Sequence, residues 1–128
     1  MEEDLRTHLA AAPALIAVVG PRIQWSVRDE VSPSLALWLV DGVPTRGLKV
    51  AGGLVQARVQ CDCWGDTFLD AKAVGEALAA SLPAKGQVVG TTKFLNCAVI
   101  DTERGRFGDS PNILHRTRHD VRVSFRPA

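Results

Sequence analysis

Apolar and polar residues alternate in register along several stretches of this chain. From Leu54 to Trp64, Val55, Ala57, Val59, Cys61 and Cys63 fall on one side, and Gln56, Arg58, Gln60 and Asp62 on the other. This period of two is the mark of a strand with one face buried. Leu114 to Arg126 repeats it. Thr117, His119, Val121, Val123 and Phe125 alternate with Arg116, Arg118, Asp120, Arg122, Ser124 and Arg126. Shorter versions run over Arg22–Val27, with Ile23, Trp25 and Val27 inward, and over Phe94–Thr102, with Leu95, Cys97 and Val99 inward. Leu35–Val40 is apolar throughout, which predicts a strand covered on both faces.

Two stretches follow a helical period instead. In Glu2–Ala12, Leu5, His8, Leu9 and Ala12 share a face, and acids fill the first turn, where the helix dipole favours them. Pro13 ends this helix or starts a second short turn, whose face of Ala14, Leu15, Val18 and Val19 runs to a C-cap at Gly20. The second stretch opens on Thr67 and Asp70, spaced like a capping box, and buries Ala71, Val74, Leu78 and Leu82 before Pro83 and Gly86 stop it. Asp41–Gly53 and Glu103–Asn112 are polar, Gly-bearing connections. Both are candidates for docking a partner, as loops between strands commonly are. The order predicts an α+β fold: a mainly antiparallel sheet of four to five strands with two helices packed on one face.

The chain has 128 residues, which predicts one domain over residues 1–128. Charge changes the picture by what it excludes. Fifteen Lys and Arg stand against 14 Asp and Glu, so no global field draws the chain to nucleic acid or an anionic membrane. Tyr is absent and aromatics make up only 5%, which leaves few platforms for stacking bases. Three cysteines cannot all pair, and the acidic N-terminus is unlike a secretory signal, so a reducing, cytoplasmic setting is expected. Ala10–Val19 is too short to span a membrane.

Cys61 and Cys63 share a strand face about 7 Å apart, close enough for two thiolates to touch one metal. A structural zinc site needs four ligands, and only Cys97 and distant histidines remain. The alternative is three small buried residues. His115 and His119 would pair on a helix, but on a strand they lie about 13 Å apart. No Gly-x-Ser-x-Gly and no phosphate-binding glycine loop is present, so no catalytic residue, cofactor site or metal site is assigned.

The strongest surface feature is a row of arginines. Arg116, Arg118, Arg122 and Arg126 lie on the outward side of the last strand, interrupted by Asp120, with Arg104 and Arg106 in the connection before it. Arg is favoured at protein interfaces. A phosphate contact and a solvated, aggregation-resistant sheet face are the competing readings.

The run Arg58-Val59-Gln60-Cys61-Asp62-Cys63-Trp64, followed by Asp66-Thr67-Phe68 and the Ala-rich helix after it, resembles the signature of phage tail-completion, or tail-terminator, proteins. Val19-Gly20-Pro21-Arg22-Ile23, Asp101-Thr102-Glu103 and the closing strand from Arg116 to Phe125 are similar in kind and order. Gly47-Leu48-Lys49 departs from the polar turn that relatives often carry there. The resemblance implies a structural subunit of a phage, prophage or gene-transfer-agent tail. It would form a homo-oligomeric ring, commonly a hexamer, at the head-proximal end of the tail tube. Its partners would be itself, the major tail tube protein and the head–tail connector protein. Nucleic acid would be only the genome passing through, and assembly would take place in the host cytoplasm. Arg104, Arg106, Arg116, Arg118 and Arg122 are the expected interface residues. Two other classes stay open: a small metal- or redox-active cysteine protein, and a nucleic-acid-binding module using the C-terminal arginine face.

Overall fold

The computed structural model describes residues 1–41 and 54–128. Helices α1 (Glu2–Ala10) and α2 (Pro13–Val19) lead into strands β1 (Ile23–Trp25), β2 (Ser34–Asp41) and β3 (Val55–Gly65). Helix α3 (Phe68–Ser81) follows, and then β4 (Gln87–Val89), β5 (Thr92–Phe107) and β6 (Leu114–Pro127). The six strands form one curled half-barrel sheet in the order β1-β2-β3-β6-β5-β4. β1 runs parallel to β2, and every other neighbouring pair is antiparallel.

The mixed α+β class agrees with the sequence reading, but the element counts do not. Pro13 stands at the start of α2, where its missing N–H costs nothing, so the N-terminal segment is two helices and the total among the described residues is three. Among the described residues the sheet has six strands because Gln87–Val89, too short to show a period, folds back on Thr92–Phe94. The connection expected over Glu103–Asn112 is largely strand: β5 continues to Phe107, paired with Leu114. Only residues 108–113 remain as the turn of this hairpin. Between Phe94 and Asn96 a bulge shifts the register, so Phe94 rather than Leu95 enters the core. β2 is covered on both faces only in its first half, where Leu35, Ala36 and Leu37 are fully buried; Val40 is 51% exposed. The connection expected over Asp41–Gly53 lies, from Gly42 on, outside the described residues.

The core lies between the helices and one face of the sheet. Leu5 and Leu9 of α1, Leu15 and Val19 of α2, and Val74 and Leu78 of α3 meet Leu35, Leu37, Val59, Cys61, Cys63, Phe94, Val121 and Val123. At roughly 1.5–3 kcal/mol for each large apolar side chain removed from water, this cluster dominates the folding energy. Thr67 caps α3 by accepting a hydrogen bond from the Asp70 N–H at 3.1 Å. Gly75 brings α3 down onto β6: a Cβ there would stand 2.8 Å from His119 Nε2 and 3.2 Å from Thr117 Cγ2.

α1 touches both ends of the strand order. Arg6 Nε donates to the Ile23 carbonyl at 3.0 Å, and the Trp25 indole donates to the Glu2 carbonyl at 2.9 Å, both on β1. On the other edge, Thr92 Oγ1 donates to Asp4 at 2.6 Å, and Gln87 Nε2 lies 3.3 Å from His8 Nδ1. The sheet therefore curls around the helices, and α1 bridges its two margins.

Candidate protein–protein interface

All helices lie on one side, so the other face of the sheet is bare of helices among the described residues, although Ala36, Asp62 and Ser124 on it are buried. The pairing register decides which side chains it carries. Trp64 opposes Arg116, Asp62 opposes Arg118, Gln60 opposes Asp120 and Arg58 opposes Arg122. On the far side of β6, Gly105, Glu103, Asp101 and Ala98 oppose Arg116, Arg118, Asp120 and Arg122. Directly paired residues share a face. Arg116, Arg118 and Arg122 are therefore brought together on the bare face.

Arg104 and Arg106 are not with them. They pair with Thr117 and His115 and so belong to the helix-bearing side. The Arg104 guanidinium lies over the Phe68 ring at the start of α3, 5.5 Å from its centroid. The five arginines flank the hairpin on both faces, a division that only the extension of β5 to Phe107 creates.

Arg116 is held by aromatic rings. Its guanidinium carbon is 4.5 Å from the Phe107 centroid and 5.7 Å from that of Trp64, and Arg28 covers Trp64 at 5.3 Å. Trp64 and Phe107 are themselves 5.5 Å apart, tilted by 60°. Gly105 permits this, since a Cβ there would lie 2.8 Å from the Phe107 ring. Each cation–π contact at a partly exposed site contributes about 0.5–1 kcal/mol. The Nε atoms of Arg116 and Arg118 are buried without a hydrogen-bond partner. Arg118 forms an ion pair with Glu103, and Arg58 with Asp120 at 3.4 Å. Phe107 and Arg28 carry no signal in the sequence that marks them for this face, whereas Trp64 stands at the end of the run that begins at Arg58.

Asp62 sits between these groups. Burial raises its carboxyl above the usual range, against the opposing pull of its Gln60 hydrogen bonds at 3.0 and 3.2 Å and of Arg116 and Arg118. On the other face, burial pushes the Cys61 and Cys63 thiols far up and Cys97 up to about 11. Thiols so held stay protonated at neutral pH, which disfavours metal binding and nucleophilic or redox chemistry alike. Among the described residues no group of three or more His, Cys, Asp or Glu could hold a metal ion. Among them, too, no helix is long and apolar enough to cross a membrane.

The fold is shared by a chain from the virion of a native gene transfer agent particle. The two match with a TM-score of 0.73 over 98% of this chain and 94% of that one, at 16% sequence identity. Comparison with curated protein sequences gives no match. The chain is a structural protein of a phage-type tail. It belongs to the tail completion protein gp17 family, whose model matches residues 3–126.

Proposed function

We propose that this chain is a tail-terminator subunit. Copies join head to tail into a closed ring, a hexamer in the form the family resemblance implies. The ring caps the head-proximal end of the tail tube, stops its polymerisation and presents a surface to the head connector. The reading is carried by the bare sheet face that bears Arg116, Arg118 and Arg122 in a chain of the tail completion family. A free monomer would leave the exposed part of this face, Arg58 and Arg122, in water, whereas a ring subunit has a neighbour on each side. Arg104 and Arg106, on the reverse of the same hairpin, are in position to meet a second neighbour or the tube. The hairpin turn at residues 108–113 is the segment proposed to dock the tube or the connector.

Native mass spectrometry of the purified chain, alone and with tail tubes, tests the ring. A closed oligomer on tube ends is expected. Arg118→Glu should lower ring mass and block tail joining. An unchanged oligomer with normal joining would refute the role given to this face.

A further inference from the structure

We propose that the recess between Arg58 and Arg122 receives the acidic first turn of α1, Glu2 and Glu3, from a second copy of the chain. This rests on the ring reading and names the contact that would build it. Arg58 and Arg122 stand directly opposite each other across β3 and β6. Like charges so placed repel. Asp120 answers Arg58. Arg122 is exposed, is flanked by Ala98 on its other side, and makes no ion pair among the described residues. Between the two arginines lies a cavity of about 190 Å³, lined also by Gln56, Ala57 and Ile100. A carboxylate with its methylene stem suits it. The guanidinium forks and the Gln56 amide can donate to the oxygens, while Ile100 packs against the stem.

The charge pattern around the recess selects a protein carboxylate over a nucleic-acid backbone. Next to the arginine pair, Asp101 and Asp120 form an acidic pair across β5 and β6. A run of phosphates would have to cross it, whereas a short acidic segment ends before it. Glu2 and Glu3 are such a segment. Both are exposed and make no ion pair among the described residues, while Asp4 beside them is engaged by Thr92. α1 lies on the helix-bearing side, and Arg122 on the bare side. Donor and receiver thus occupy opposite sides of one subunit. Such a contact is heterologous: each copy gives one and accepts one, and a closed set is a ring.

The test is a charge swap in the full-length chain, read by sedimentation velocity and native mass spectrometry over a concentration series. R58E/R122E and E2K/E3K should each raise the concentration needed for assembly at least tenfold. The four changes together should restore it to within about threefold of wild type. Arg122→Gln and Glu3→Gln, which disturb the fold least, should weaken assembly in the same direction, with thermal melts confirming that every variant is folded. Wild-type-like assembly in R58E/R122E, or a combined variant no better than either parent, overturns the pairing while leaving the ring reading intact. Salt-sensitive DNA binding that R122Q abolishes without touching assembly also overturns it. A wild-type chain that never assembles, alone or on tubes, overturns the ring reading and this contact with it.

Discussion

Replacing Gly75 with alanine sets two opposing effects against each other, and the structure decides between them. In an exposed helix interior the change would stabilise by about 1 kcal/mol, because alanine loses less backbone freedom on folding. At this position the new Cβ would sit 2.8 Å from His119 Nε2 and 3.2 Å from Thr117 Cγ2. Real contacts do not come this close, so either α3 lifts from the sheet or the His119 ring swings away. The ring is not free to swing, since its Nδ1 lies 2.8 Å from Thr102 Oγ1. Overpacking of this kind costs roughly 1–3 kcal/mol, and a lost hydrogen bond about 1 kcal/mol more. The net expectation is a loss of about 1–3 kcal/mol, or a melting temperature lower by roughly 4–11 °C for a chain of this size. Urea and thermal unfolding followed by circular dichroism would measure it. A double-mutant cycle with His119→Ala isolates the cause. With the ring gone, the alanine should become neutral or stabilising. A single G75A variant more stable than wild type would refute the close approach of α3 to β6 on which the packing argument depends.

Three further outcomes follow from individual contacts. Burial holds His119 below its ordinary pKa, against the Gly75 carbonyl, so the unfolded chain takes up this proton more readily. Stability should therefore fall as pH drops through about 6.5 and below, and His119→Gln should flatten that part of a pH–stability profile. Asp62 runs the other way: its raised pKa means that its charged form burdens the folded state above that value, so Asp62→Asn should raise the melting temperature at pH 7, and the advantage should vanish at acid pH. Thr67→Ala removes the acceptor for the Asp70 N–H and should cost about 1 kcal/mol in chemical denaturation.

Sequence period reveals β3 and β6 almost residue by residue because both lie mid-sheet, with one side against the helices and the other facing outward. The same alternation by itself puts Arg116, Arg118 and Arg122 on one face. It fails for β5. There the bulges at Leu95 and Ile100 reset the phase, and the exposed end beyond Val99 carries no apolar period, so strand reads as loop. β4 is three residues long, below the length at which alternation means anything. Arg104 and Arg106 have no face in the sequence for the same reason: a loop has none, and only pairing with Thr117 and His115 assigns them to the side opposite Arg116, Arg118 and Arg122. The Arg28–Trp64–Phe107–Arg116 cluster joins three segments far apart in the chain, and no local pattern encodes it.

The bridge made by α1 also has a meaning in time. Its contacts to Thr92 and Gln87 span 88 and 79 residues of chain. During synthesis α1 leaves the ribosome well before the edge it must hold, which follows it by 79 to 88 residues. Until then Leu5 and Leu9 have an incomplete site to fill. α1 is therefore locked only after the strands it bridges have been made, and closure of the half-barrel comes late in folding.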